Sequence, residues 1–166
     1  MNRSFYVALP LMVALTVLQV SVWPRFLRLS MVPQFVLLAP IAWALLRGTY
    51  EGMLWAFLAG LFLDLFSYAP LGATSLALMA SVLVIGWLQQ VLPENRFLLP
   101  VLFTVIALAV YYVFYLLILR LAGLPFSWQT VTSLPTVLFL HAFLVIPVYW
   151  LLYYMERLLN PRHLAA

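Results

Sequence analysis

Residues 97–121 carry a single charged side chain, Arg120. Such a run has no polar face to offer water, and roughly 20 apolar residues in a helix are enough to cross the hydrocarbon of a bilayer. The pattern recurs. Apolar segments lie at about 5–22, 32–46, 50–66, 71–91, 97–121 and 132–155, parted by the turn-forming connections "RGTYEG", "SYAP", "PENR" and "AGLPFSWQ". These segments use up the chain and leave no room for a separate soluble domain. A soluble fold needs about a quarter of its residues charged, and here the share is 7%. The expected fold is therefore an all-α integral membrane protein of six transmembrane helices in one polytopic domain. The first run lacks a small-residue cleavage site and reads as a retained span rather than a signal peptide.

Segment two is unusual. Residues 32–46 cover only about 22 Å as a helix and include Pro33 and Pro40. Such a segment tilts little, thins the bilayer locally, or is interrupted.

All the cations are arginines. With a cytoplasmic N-terminus, the inner segments hold Arg3, Arg47, Arg96, Arg157 and Arg162, and the outer ones hold Arg25, Arg28 and Arg120. The excess places both termini in the cytoplasm. Trp23, Tyr68 and Trp128 then sit at the outer interface. The first outer loop, "VWPRFLRLSMVPQF", either lies flat on the membrane or is a plain connection.

Function has few side chains to work with. Cysteine is absent, which excludes disulfides and thiolate chemistry. The carboxylates Glu51, Asp64, Glu94 and Glu156 fall on separate elements and show no local acid–base pairing. Glu94 with Arg96 reads as a solvated loop pair, and Glu156 with Arg157 as an interfacial helix end. No nucleophile–base pair, phosphate loop or nucleic-acid patch is present. His141 has no second histidine at ligand spacing, since His163 lies in the terminal tail, so no metal or other cofactor is expected. His141 is either a hydrogen-bonded structural residue or, with Tyr111 and Tyr115, part of a buried polar site.

Segment three is the most informative. Gly52, Ala56, Gly60 and Asp64 follow at steps of four and form one slowly winding stripe. Small residues along a stripe let a second backbone come close. Trp55, Leu58, Phe62 and Leu65 lie off the stripe and meet lipid or other packing. Segment four carries a matching stripe of Ala73, Ala77 and Ser81, so the two segments are expected to pair tightly. Asp64 then faces protein. It accepts hydrogen bonds from N–H groups of the following turn or of the next helix start, pairs with Arg25, Arg28 or Arg120, or carries a proton or ion.

From Glu51 to Leu78 the chain reads "EGMLWAFLAGLFLDLFSYAPLGATSLAL". This stretch resembles the MreD family of bacterial rod shape-determining proteins. The family pattern is a glycine-rich span, "GL", an aspartate, a short turn and "PLG", matched here by Gly52, Gly60, Leu61, Asp64, Pro70, Leu71 and Gly72. The earlier "VPQFVLLAPIAWALLRG" is similar to the family as well, whereas residues beyond Phe97 resemble it mainly in hydropathy. The resemblance implies a fold like the substrate-binding subunits of energy-coupling-factor transporters. It also implies a non-enzymatic role in the elongation complex of the bacterial inner membrane, with MreC as main partner and MreB, RodA and its transpeptidase in the wider assembly. A small-molecule transporter or its binding subunit is the alternative that the implied fold keeps open.

Overall fold

The computed structural model describes residues 3–22, 34–91, 99–124 and 128–159. Every regular element among them is helical. Helix α1 is Arg3–Val17 and runs on into one π-helical turn, Leu18–Val22. Helices α2 (Phe35–Arg47), α3 (Thr49–Leu65), α4 (Ala73–Val91), α5 (Leu99–Leu121) and α6 (Trp128–Leu159) follow. Each expected segment thus contains one helix. The largest departure is α6, which begins four residues before the expected 132 and continues past 155.

Three of these helices are long and apolar enough to cross a membrane, within Ala73–Val91, Pro100–Leu121 and Leu134–Leu158. The apolar parts of α1 and α2 are shorter. For α2 the shortness has a structural reason. Its residues Val36–Ala44 are buried without a break, and it touches each of the other five helices. A helix that is apolar on all sides is stable only when enclosed, and here the neighbours that enclose it are protein. From Phe35 on, segment two is one uninterrupted helix at the centre of the bundle, Pro40 included, while Pro33 lies outside the described residues. Its length is not matched against lipid.

Neighbouring side chains finish both ends of α2. Its sequence offers no Ser, Thr, Asp or Asn at the N-cap, where such a residue ordinarily satisfies the free N–H groups of the first turn. Instead the Gln34 N–H donates to Nε2 of His141 at 3.0 Å. The Val36 N–H donates to Oε1 of Gln19 at 3.2 Å. The π-helical turn that ends α1 carries this Gln19. At the other end the Gln89 amide donates to the Leu45 carbonyl at 3.3 Å. Gly48 then reverses the chain with φ 89° and ψ 172°, a conformation essentially closed to other residues, so α3 starts at once. Beside this turn Trp43 of α2 and Trp55 of α3 stack, with centroids 4.2 Å apart and planes 9° apart. Trp55, off the small-residue stripe, meets this packing rather than lipid and is buried.

Candidate functional site

Helices α3 and α4 form a tight antiparallel hairpin. Gly52, Ala56, Gly60 and Asp64 are all buried, as are Ala73, Ala77 and Ser81. The hairpin closes at glycine contacts. A Cβ added to Gly60 would run into the Cα and N of Ser75, and one added to Gly52 into Ala44. A Cβ on Gly86 would meet the side chain of Thr49. Thr49 to Gly60 and Ser75 to Gly86 are equal steps of eleven along the two helices, so the pair stays in register along its length. The Ser75 hydroxyl donates across the gap to the Phe57 carbonyl at 3.1 Å. The stripe is thus filled by α2 and α4 of the same chain.

Asp64 ends this stripe and is 2% exposed. Its Oδ2 accepts from the Gly72 N–H at 2.8 Å, and the Thr74 N–H donates to both oxygens at 3.2 Å. These are the free donors that begin α4, and an anion at a helix N-terminus is favoured both by the hydrogen bonds and by the helix dipole. Gly72 sits at φ 94°, which turns its N–H toward the carboxylate. Pro70 is exposed, and its carbonyl accepts from the Ala73 N–H at 3.0 Å. Of the three possibilities that the sequence left open for Asp64, these are the bonds of the first. Arg120 is exposed and makes no ion pair with Asp64 among the described residues. Arg25 and Arg28 lie outside the described residues. Tyr111 and Tyr115 stack with centroids 5.6 Å apart.

The family model of the rod shape-determining protein MreD matches residues 1–158. The chain belongs to the MreD family. It is a rod shape-determining membrane protein. No curated protein and no solved structure matches it.

This MreD-family chain holds two further polar groupings. His141 is 1% exposed. Its Nδ1 lies 2.7 Å from the Val137 carbonyl; with Nε2 accepting from Gln34, the ring is the neutral tautomer with its proton on Nδ1. The tyrosine tied to this site is neither Tyr111 nor Tyr115. Tyr112 donates to Oε1 of Gln34 at 3.2 Å, so α5 and α6 converge on the start of α2.

The second grouping corrects the reading of the carboxylates as separate. Arg47, at the end of α2, holds Glu51 through Nη2–Oε1 and Nε–Oε2, both 3.2 Å. Its Nη1 reaches Oε1 of Glu156 on α6 at 3.0 Å. The Trp43 indole also donates to Glu51 Oε2, at 3.1 Å. Glu156 is 2% exposed and is turned into the bundle toward Arg47, whereas Arg157 is exposed. The i,i+4 spacing of Arg47 and Glu51 was the legible half of this cluster. Glu156, more than a hundred residues away, had no local signal. Among the described residues no group of His, Asp or Glu side chains is arranged to hold a metal ion.

Proposed function

We propose that this chain is a non-enzymatic scaffold of the cell-wall elongation complex. It crosses the inner membrane six times with both termini in the cytoplasm, receives MreC, and so helps control rod shape and peptidoglycan synthesis. MreB, RodA and its transpeptidase complete the assembly around it, and its fold resembles that of the energy-coupling-factor substrate-binding subunits. Membership of the MreD family is the observation that carries this reading. The side-chain chemistry supports it. Asp64, His141 and Arg47 are each engaged in joining one helix end to another, which is the work of a rigid platform. Since α2 and α4 occupy the small-residue stripe, MreC is received on the outside of the bundle.

The test is affinity purification of the tagged chain from native membranes. MreC and wall-synthesis enzymes should be recovered with it. Recovery of ATPase subunits without MreC would replace the scaffold with a transporter. Reporter fusions at Met1 and Ala166 should be active only in the cytoplasm, and a periplasmic signal at either end would overturn the orientation.

A further inference from the structure

Four helices of the outer wall, α3 to α6, differ in length in an ordered way, and α1, also exposed, packs on α3. The apolar stretch of α6, Leu134–Leu158, has 25 residues, that of α5, Pro100–Leu121, has 22, and α4 has 19. Helix α3 has 17. At 1.5 Å per residue these correspond to about 37, 33, 28 and 25 Å, against a hydrocarbon core of roughly 30 Å. Neighbours in this series pack on each other, α3 on α4, α4 on α5 and α5 on α6. The short pair therefore occupies one side of the molecule and the long pair another.

The side chains that face outward mark the same boundaries. Tyr50 in the first turn of α3 is 74% exposed and Trp87 near the end of α4 is 64% exposed. The contact between Gly86 and Thr49 sets these two rings at one level. At the opposite end of the hairpin Phe66, Tyr68 and Leu71 project from the turn, Tyr68 fully. Leu54, Phe57, Leu65, Leu76 and Leu83 lie exposed between the two rims, so the rims are continuous with the lipid-facing wall. Amphipathic rings settle at the membrane–water boundary. Tyr50 and Phe66 are sixteen positions apart, about 24 Å along the helix. Asp64 takes up two of the N–H groups at this end of the hairpin, those of Gly72 and Thr74.

We propose that the α3–α4 face fits a bilayer several ångströms thinner than the α5–α6 face does, so that the protein carries a local thinning of the membrane on one side. The occupant of this face is lipid. The aromatic rims draw the headgroups inward along the hairpin while α6 holds full thickness opposite. The cost of a mismatch of this kind is modest enough for packing to impose.

The absence of cysteine makes the test direct. Single variants Tyr50→Cys and Tyr68→Cys on the hairpin, and Thr136→Cys and Leu158→Cys on α6, are spin-labelled and reconstituted in dioleoyl phosphatidylcholine vesicles. All four positions are exposed. Collision with oxygen and with a water-soluble nickel chelate then gives the depth of each label. Both hairpin labels should read the headgroup boundary although they are closer together than the hydrocarbon is thick. The α6 labels, about 33 Å apart along the axis, should read that boundary too. A hairpin label deep in hydrocarbon, with oxygen contact far above nickel contact, would show a flat bilayer that submerges the hairpin. A Tyr68 label as open to nickel as in water would show a turn standing outside the membrane. Thinned readings with the α6 ends out in water would show uniform thinning. Each of these three results overturns the proposal. If a variant loses the parent's melting temperature in detergent, Trp87→Cys replaces Tyr50→Cys and Leu71→Cys replaces Tyr68→Cys.

Discussion

The Gln34 N–H at the start of α2 is capped by the His141 ring from α6, 107 residues further along the chain. An imidazole thus does the work that a serine or aspartate would do within the helix's own sequence. The same ring returns its second nitrogen to its own helix at Val137. Both nitrogens are used, so the site requires one tautomer and a residue that accepts and donates at once.

His141→Leu should therefore destabilise the fold by about 1–3 kcal/mol, the cost of leaving a buried donor without an acceptor. His141→Gln retains both functions on a flexible chain and should recover part of the loss. Thermal unfolding of the purified variants in detergent checks the order. Equal melting temperatures for His141→Leu and the parent would remove the cap from the account.

At Asp64 the donors are backbone groups, and this predicts how two substitutions rank. Asp64→Ala removes every acceptor and strands the Gly72 and Thr74 N–H groups, a loss of about 1–3 kcal/mol or more. Asp64→Asn keeps one carbonyl oxygen and should be milder. Expression in a depleted strain, scored for rod shape, and melting in detergent with and without MreC give the comparison. If Asn proves as harmful as Ala, an arginine rather than the backbone dominates the site.

The glycine contacts differ in what they would strike. Gly60→Ala drives its methyl into the backbone of Ser75, whereas Gly86→Ala meets only the Thr49 side chain. Overpacking of a close-packed interface costs typically about 1–3 kcal/mol. Gly60→Ala should lie at or above the top of that range and Gly86→Ala below it. Accumulation of folded protein and melting temperature measure both, and the reverse order would mean that the hairpin yields at Ser75.

Arg47 serves two carboxylates on different helices. Arg47→Ala would leave Glu51 and Glu156 facing each other without a cation, a change of the kind that costs about 3–5 kcal/mol for buried pairs. The partial exposure of Arg47 and Glu51 favours the lower end. Arg47→Lys should restore little, because a single ammonium cannot reproduce the fork that reaches both acids. Glu156→Gln, which keeps an acceptor, should be the mildest of the three. Heat inactivation of MreC binding by each variant is the readout.

What could be read from the chain was what repeats locally. The steps of four from Gly52 to Asp64 showed the packing stripe because helical periodicity is a property of neighbours. Asp64 stood out as a charge among apolar residues. The central place of α2 could not be read in the same way. In a membrane an enclosed leucine and a lipid-facing one look alike, so Leu37, buried, and Leu76, exposed, carry no distinguishing mark. Nor was Gln34 marked as the N-cap, since the expected segment began at 32 and the capping ring lies 107 residues away. Arg47 was counted as a loop charge that set orientation, and its link to Glu156 became visible only in three dimensions.

The position of α2 also orders the protein's assembly during translation. The ribosome delivers this helix second, yet Tyr112 and His141, which close its first turn, and Glu156, which closes its last, emerge only with α5 and α6. Until then Arg47 has only Glu51 as an acidic partner, and of the capped N–H groups at the start of α2 only that of Val36 has its acceptor, Gln19 of α1. A chain cut short before α6 would therefore lack the His141 cap on Gln34 and the Glu156 partner of Arg47. Completion of the last helix supplies both, so the two ends of α2 have all these partners only once α6 is in place.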